Sequence, residues 1–441
     1  MTITQLRQSA RQIWDAALRR ADPTSCVQEN LRIDQGNVWI RGRKYPLGGR
    51  LFVVGAGKAS AMMAKAVEEI LKAEVTGGLV VTKHGQGMPL ERIQIVEAGH
   101  PVPDAAGVSA VEQTRRLLSE LAPQDMVLCL ISGGGSALWP APATGVTIED
   151  KQQITSRLLR AGASIRELNA VRKHLSAVKG GQFARWAAPA RVVSLIISDV
   201  IGDPLDFIAS GPTAPDTTSF RDALTVIQKY GVSAPAAVME RLEAGARDEI
   251  PDTPKPGDLI FENVDNVIIA NNRILIDSAR ERAEALGFNT LVLTTELEGE
   301  AREAGGFLAA IAREIAVSGN PLKSPACVLS AGETTVTVRG NGAGGRNQEM
   351  ALAWAIAINS RPISAPCCFA SIASDGSDGP TDAAGGLVDP FTCSRAVGLG
   401  LQPNDYLNAN DSLNFLKATG DLIVTGPTQT NLMDLQILLV G

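Results

Sequence analysis

Residues 126–140, MVLCLISGGGSALWP, constrain this chain more than any other stretch. The first six form a continuous apolar run bounded by turn residues, the pattern of a central parallel strand buried on both faces. The run breaks into Ser132, Gly133, Gly134, Gly135 and Ser136. Three consecutive glycines remove every Cβ from that turn, so backbone N–H groups can converge on an anion, and the two serines add hydroxyl donors. In open α/β sheets, ligands sit beyond the carboxyl ends of strands, where this turn lies. The competing reading is a flexible turn into a helix.

Strands and helices alternate on either side. The sequence predicts helices over 3–18, 61–71 and 105–121, the last with Asp104 as its N-cap. It predicts a hairpin over 31–47 around Gly36-Asn37. Strands are expected at 51–54, 78–82, 93–97 and 191–198, and later at 266–270, 289–294, 326–330, 334–338, 367–374, 421–425 and 435–440. A helix over 165–178 carries Leu168, Val171, Leu175 and Val178 as an apolar stripe. Asn169, Arg172, Ser176 and Lys179 lie beside it at the same spacing, facing a cleft or solvent. The proline-rich stretch 248–258, DEIPDTPKPGD, reads as a linker or exposed loop. The expected domains are therefore 1–250, Rossmann-like, and 251–441, a smaller α/β domain, with the final strand free to return to the first.

With 441 residues there is room for two or three domains. A formal charge of −6 and 4% aromatic residues argue against nucleic acid or an anionic membrane as a partner. No apolar run approaches the ~20 residues that span a bilayer, and the first twenty residues do not read as a secretory signal. Cys26, Cys129, Cys327, Cys367, Cys368 and Cys393 are scattered, as buried thiols in a reducing cytoplasm would be. Only His84, His100 and His174 are present, with no Cys/His cluster, so zinc is not expected.

Gly55-Ala56-Gly57-Lys58-Ala59-Ser60 stands between a strand and a helix but is a degraded dinucleotide fingerprint. Ser60 replaces its third glycine, and the next strand ends at Lys83 where an acidic ribose ligand belongs. Lys58 opposes the macrodipole of the helix it opens, which is easier to explain if it meets an anion; a solvated lysine is the alternative. Four strand-end loops thus combine cations, glycine turns and carboxylates: Lys58, residues 132–136, 199–213 and 375–382. Phosphoryl transfer needs that mixture, although Asp before Gly is also an ordinary turn residue.

The motifs VVGAGKAS, GHPVPDAAG, LISGGGSAL, LNAVRKHLSAVKGGQ, IISDVIGDPLDFIASGPTAPD, SAGETTVTVRGNGAGGRNQE and ASDGSDGPTDAAGGLVD resemble the class II glycerate kinase family. That family has a MOFRL-type C-terminal domain and includes tartrate-pathway proteins labelled hydroxypyruvate reductases. The likeness runs from about residue 51 to 440. It implies an α/β fold with a Rossmann-like N-terminal domain, a smaller C-terminal α/β domain and an active site in the cleft between them. It implies ATP and Mg²⁺, with D-glycerate as acceptor, usually at its 2-hydroxyl. A cytoplasmic location is expected, and a homodimer is left open.

Lys58 and Arg346 match the family's catalytic positions. Gly57, Ser132, Gly133, Gly134, Gly135, Ser136, Arg172, Lys179, Ser210 and Asn347 are expected to contact substrate or nucleotide. Asp199, Asp206, Glu333, Asp375 and Asp378 are candidates for Mg²⁺ or for accepting the hydroxyl proton, unranked. Ser377 stands where threonine is common and keeps the hydroxyl. Losing Lys58 or Arg346 is expected to slow turnover with little change in stability. An NAD(P)H-dependent hydroxypyruvate reductase, with only His100 and His174 available as acids, is the rival enzyme. A carboxylate or nucleotide sensor is the non-catalytic one.

Overall fold

The computed structural model describes residues 1–441, and these divide between two units. The central unit is Pro23–Ile269, and the terminal unit joins Met1–Asp22 to Ala270–Gly441. Helix α1 (Ile3–Arg20) belongs to the terminal unit. Its Arg7 is gripped there by Asp389 at 2.6 Å and Asp421 at 3.0 Å.

The central unit opens with α2 (Pro23–Asn30) and a small antiparallel sheet, β1 (Leu31–Asp34), β2 (Asn37–Ile40) and β3 (Arg43–Pro46). Gln35 and Gly36 make the first turn with φ of 49° and 70°, the geometry of a two-residue hairpin. The main sheet follows: β4 (Leu51–Ala56), β5 (Val75–Lys83), β6 (Ile93–Ala98), β7 (Met126–Ile131), β8 (Arg191–Ile197) and β9 (Val264–Ala270). Its spatial order is β6-β5-β4-β7-β8-β9, with the first five strands pairing in parallel. This is the doubly wound order, which reverses direction between β4 and β7. Every residue of β7 is buried, as its unbroken apolar run requires.

The crossover helices are α3 (Ser60–Leu71), α4 (Ala105–Leu117), α5 (Gly135–Leu138), α6 (Ile148–Arg160), α7 (Ile165–His174), α8 (Gln182–Ala187), α9 (Phe220–Tyr230) and α10 (Ala236–Ala246). Asp104 caps α4 by accepting from Gly107 N at 3.0 Å. Helix α7 stops at His174, four residues before the sequence pattern does. Leu168, Val171 and Leu175 pack in a cluster with residues of α6, α9 and α10, while Val178 belongs to the core of the sheet.

Residues 248–258 are not a linker between domains. His174 meets Asp252 at 2.9 Å, Thr253 Oγ1 donates to Asp216 at 3.0 Å, and Asp216 N donates to Pro254 O at 2.9 Å. The chain then adds β9 beside β8, so the unit ends after Ile269 rather than at residue 250. The other ring nitrogen of His174 meets Ala170 O at 2.6 Å. Both partners are acceptors, so both contacts are satisfied only when both ring nitrogens donate. Neighbouring Lys173, also buried, spans Asp206 at 2.9 Å and Asp216 at 3.2 Å.

In the terminal unit, β10 (Asn289–Leu297), β11 (Ala326–Gly332), β12 (Cys367–Ala373), β13 (Gly385–Val388), β14 (Leu422–Ile423) and β15 (Asp434–Val440) form a mixed sheet in the order β10-β11-β15-β12-β13-β14. The last strand lies between β11 and β12, antiparallel to both, and does not return to the other unit. Helix α1 packs on α11 (Asn272–Ala285), and α12 (Ala301–Ser318) on α13 (Arg346–Ser360). Trp354 of α13 stacks on Phe369 of β12, with ring centroids 5.6 Å apart. The strand expected at 334–338 does not form; Thr335 makes a single bridge to Glu300. All six cysteines are free and buried. No helix is long and apolar enough to cross a membrane.

Partial burial would raise the Asp252 carboxyl, but the hydrogen bond and charge of His174 outweigh it and hold Asp252 well below the usual range. A depressed carboxylate stabilises the fold above its unfolded value, about 3.9, and loses that contribution as pH falls toward the folded value. Asp252→Ala leaves the buried His174 Nε2 without its acceptor and should cost about 2–3 kcal/mol in urea denaturation at neutral pH. The variant should also show a shallower loss of stability below pH ~4 than the parent.

Candidate active site

The strand order reverses between β4 and β7, and the turns leaving these two strands are built into one another. Lys58 N donates to Gly133 O at 2.8 Å. Ser132 Oγ accepts from Ala59 N at 3.0 Å and shares a hydrogen with Ser60 Oγ at 3.1 Å. The turns approach so closely that a Cβ on Gly57 would stand 2.0 Å from Ser132 Oγ. Ser132 is 1% exposed, so its hydroxyl is a strut and not the anion donor expected of it. Ser136 Oγ is similarly engaged, 3.0 Å from Ser210 Oγ, which donates to Asn169 Oδ1 at 3.0 Å. Lys179 Nζ donates to Ser136 O at 2.7 Å.

The N–H groups of Gly133 and Gly134 remain without a backbone partner. Gly134 has φ of 83°, and a Cβ there would fall 2.9 Å from the His100 ring and 3.3 Å from Lys58 Cγ. The turn is therefore flanked by a cation and an imidazole. Burial, then the charges of Lys58 and Lys83, push His100 down to about 4, so it is neutral at neutral pH.

Beyond β8, where Asp199 follows the strand, the chain passes through Ala209, Ser210 and Gly211 with φ of 51°, 61° and 62°. Two successive non-glycine residues in the left-handed region store strain of order 1–3 kcal/mol each. The Ser136–Ser210–Asn169 chain of hydroxyl and amide bonds holds them there. Asp206, in the same loop, is one-quarter exposed and is fixed through Oδ2 by Lys173.

In the terminal unit, Arg346 is the first residue of α13. Its Nε and Nη2 grip Asp434 at 2.5 and 3.0 Å, and Nη1 meets Glu333 at 2.9 Å. Burial lifts Asp434 to about 6, and the guanidinium beside it keeps it ionised at neutral pH. Asp378 caps α13: its oxygens accept from Asn347 N at 3.1 Å and Gln348 N at 2.8 Å, and from both side-chain amides. Burial raises this carboxyl. Asn347 is buried as well, its Oδ1 taken by Ser371 Oγ at 2.6 Å. Asp375 Oδ1 accepts from Ser377 N at 3.0 Å. No three His, Cys, Asp or Glu side chains stand together as a ready metal cage.

The family described as a domain of unknown function, DUF4147, matches residues 9–243, and the MOFRL family matches residues 326–434. A protein of Thermotoga maritima named D-glycerate 2-kinase is 47% identical over 89% of this chain and 91% of its own. The chain belongs to the class II glycerate kinase family. A crystal structure of glycerate kinase from Thermotoga maritima superposes with a TM-score of 0.88 at 42% identity, covering 99% of this chain and 100% of that one. A relative from Agrobacterium vitis, 43% identical over 99% of this chain and 94% of its own, bears a provisional hydroxypyruvate reductase name.

For this glycerate kinase family member, the structure brings Gly57, Lys58, residues 132–136, Lys179 and Ser210 into one cluster. Asp378 and Asn347 are instead buried in the cap of α13. The sequence reading missed Lys173 and Asp434, which fix Asp206 and Arg346. Buried ion pairing with a residue distant in sequence leaves no local signal. It also changes the stability expected on losing Arg346, because Asp434 would be left buried without its partner. Arg346→Ala should cost about 3–5 kcal/mol, measured by chemical denaturation. Adding Asp434→Asn should recover part of that loss.

Proposed function

We propose that this chain transfers the γ-phosphoryl group of ATP to D-glycerate, at the 2-hydroxyl. The observation that carries the reading is near-full-length identity of 47% to a protein named D-glycerate 2-kinase. The turn chemistry supports it. Lys58 neutralises charge on the transferring group, and the Gly133 and Gly134 N–H groups receive an anionic oxygen. In the terminal unit, Arg346 has its fork oriented by Asp434 and Glu333, and the family resemblance makes it the other catalytic candidate. Lys179, Ser210 and Asn169 brace the turn.

A kinase Mg²⁺ takes one or two protein carboxylates and completes its shell with phosphate oxygens and water. Residues without a three-ligand cage fit that requirement. Asp199, Asp206, Glu333 and Asp375 are the carboxylates suited to it, whereas Asp378 has both oxygens committed to α13. Bound with the nucleotide, the ion would neutralise phosphate charge.

The reductase reading has a named relative in its favour. Against it, β5 ends in Lys83 where a dinucleotide site needs an acid, and both nitrogens of His174 are committed to Ala170 and Asp252.

Purified protein should form ADP from ATP, Mg²⁺ and D-glycerate, with ³¹P NMR identifying 2-phosphoglycerate. Oxidation of NADH by hydroxypyruvate without ADP formation from glycerate would overturn the proposal. Lys58→Ala should lower kcat by roughly 10²–10³, about 3–4 kcal/mol. Arg346→Lys retains charge but loses the fork and should also slow turnover. Steady-state kinetics of the double variant should show less than the product of the two effects if both act on one transition state.

A further inference from the structure

Lys151 of α6, Arg172 of α7, Lys179 beyond its end and Arg241 of α10 gather inside the central unit, close enough for their charges to act on one another. Acids nearby in the fold are already engaged: Asp206 and Asp216 with Lys173, Asp252 with His174, and Asp150 in the cap of α6. Lys179 donates to Ser136 O at 2.7 Å and Arg241 to His174 O at 2.9 Å, both uncharged acceptors. Lys151 has not even that. Its ammonium is shut off from solvent and has no hydrogen-bond partner.

We propose that these four side chains form a binding site for a phosphate-type oxyanion carrying two or more charges, with Lys151 as its innermost donor. A single carboxylate would leave a large excess of positive charge. A phosphate group offers the charge and the several acceptor oxygens that two ammonium groups and two guanidinium forks can use. Burial and the charges of Arg172 and Arg241 push Lys151 down to about 7, and burial with Lys151 and Arg172 holds Lys179 well below its ordinary value. An arriving anion relieves both. Lys179 links the site to the 132–136 turn, so the anion sits on the flank of that turn. The phosphate can belong to a nucleotide, to a phosphorylated hydroxy acid or to free phosphate, which share this chemistry. The inference deepens the kinase reading, because Arg172 and Lys179 are among the residues expected to contact substrate or nucleotide; binding of inorganic phosphate tests it apart from turnover.

The test is calorimetric titration of the full chain with inorganic phosphate, ADP and 2-phosphoglycerate, each alone, alongside thermal unfolding. Wild type should bind at least one probe, and the tightest identifies the source of the phosphate. Lys151→Met should weaken that binding at least tenfold. In phosphate-free buffer it should unfold at the same or a higher temperature, because a repelling charge has gone. Lys151→Arg should restore binding. The proposal fails if wild type binds none of the three, if Lys151→Met binds as wild type does, or if Lys151→Arg rescues nothing.

Discussion

One hydroxyl joins the two strands at which the main sheet reverses. Ser132 Oγ takes the Ala59 N–H and the Ser60 hydroxyl, tying the turn after β7 to the start of α3. A single such bond contributes about 1 kcal/mol net, but a buried donor left without it costs more. The contact is possible only because Gly57 carries no Cβ. The GAGK and SGGGS motifs, which look like separate anion loops, are therefore two halves of one joint. Lys58, His100 and the free N–H groups at Gly133 and Gly134 inherit their positions from it.

Charge is handled in two different ways. Arg346 is matched inside its own unit by Asp434 and Glu333, and α13 is capped by Asp378. A cation at the positive end of a helix thus owes its stability to carboxylates of the fold, and what it offers a ligand is a preset orientation. Lys151, Arg172, Lys179 and Arg241 have no such internal match. The fold spends its carboxylates on one set of cations and leaves the other for a ligand.

The legible parts of the sequence were those with local causes. The buried strands announce themselves as apolar runs, and Asp104 caps a helix that begins at the next residue. The sites of the glycine turns and Lys58 followed from strand ends alone. Partners far apart in sequence were not legible. Nothing around residue 252 signals that its carboxylate will meet His174, so a proline-rich segment that is part of the central unit resembles a linker. Nothing in DGSDG shows that Asp378 will cap a helix about thirty residues earlier. Serines drawn as ligand donors became struts because each found another hydroxyl from a different loop. The strand expected at 334–338 had a suitable composition but only Glu300 to pair with.

The topology of the terminal unit has a consequence for how the chain is made. Its first helix, α1, must wait on the ribosome until α11 emerges roughly 250 residues later, on the order of 10–50 s at ordinary synthesis rates. The central unit receives its edge strand β9 just before α11 is made, so its sheet can close while the terminal unit is still being translated. The terminal sheet cannot, because β15 fills the gap between β11 and β12 and is made after both of them. Until β15 emerges, two strand edges that end up buried stand open side by side, which makes this the period in which the chain most needs protection from pairing with a neighbour.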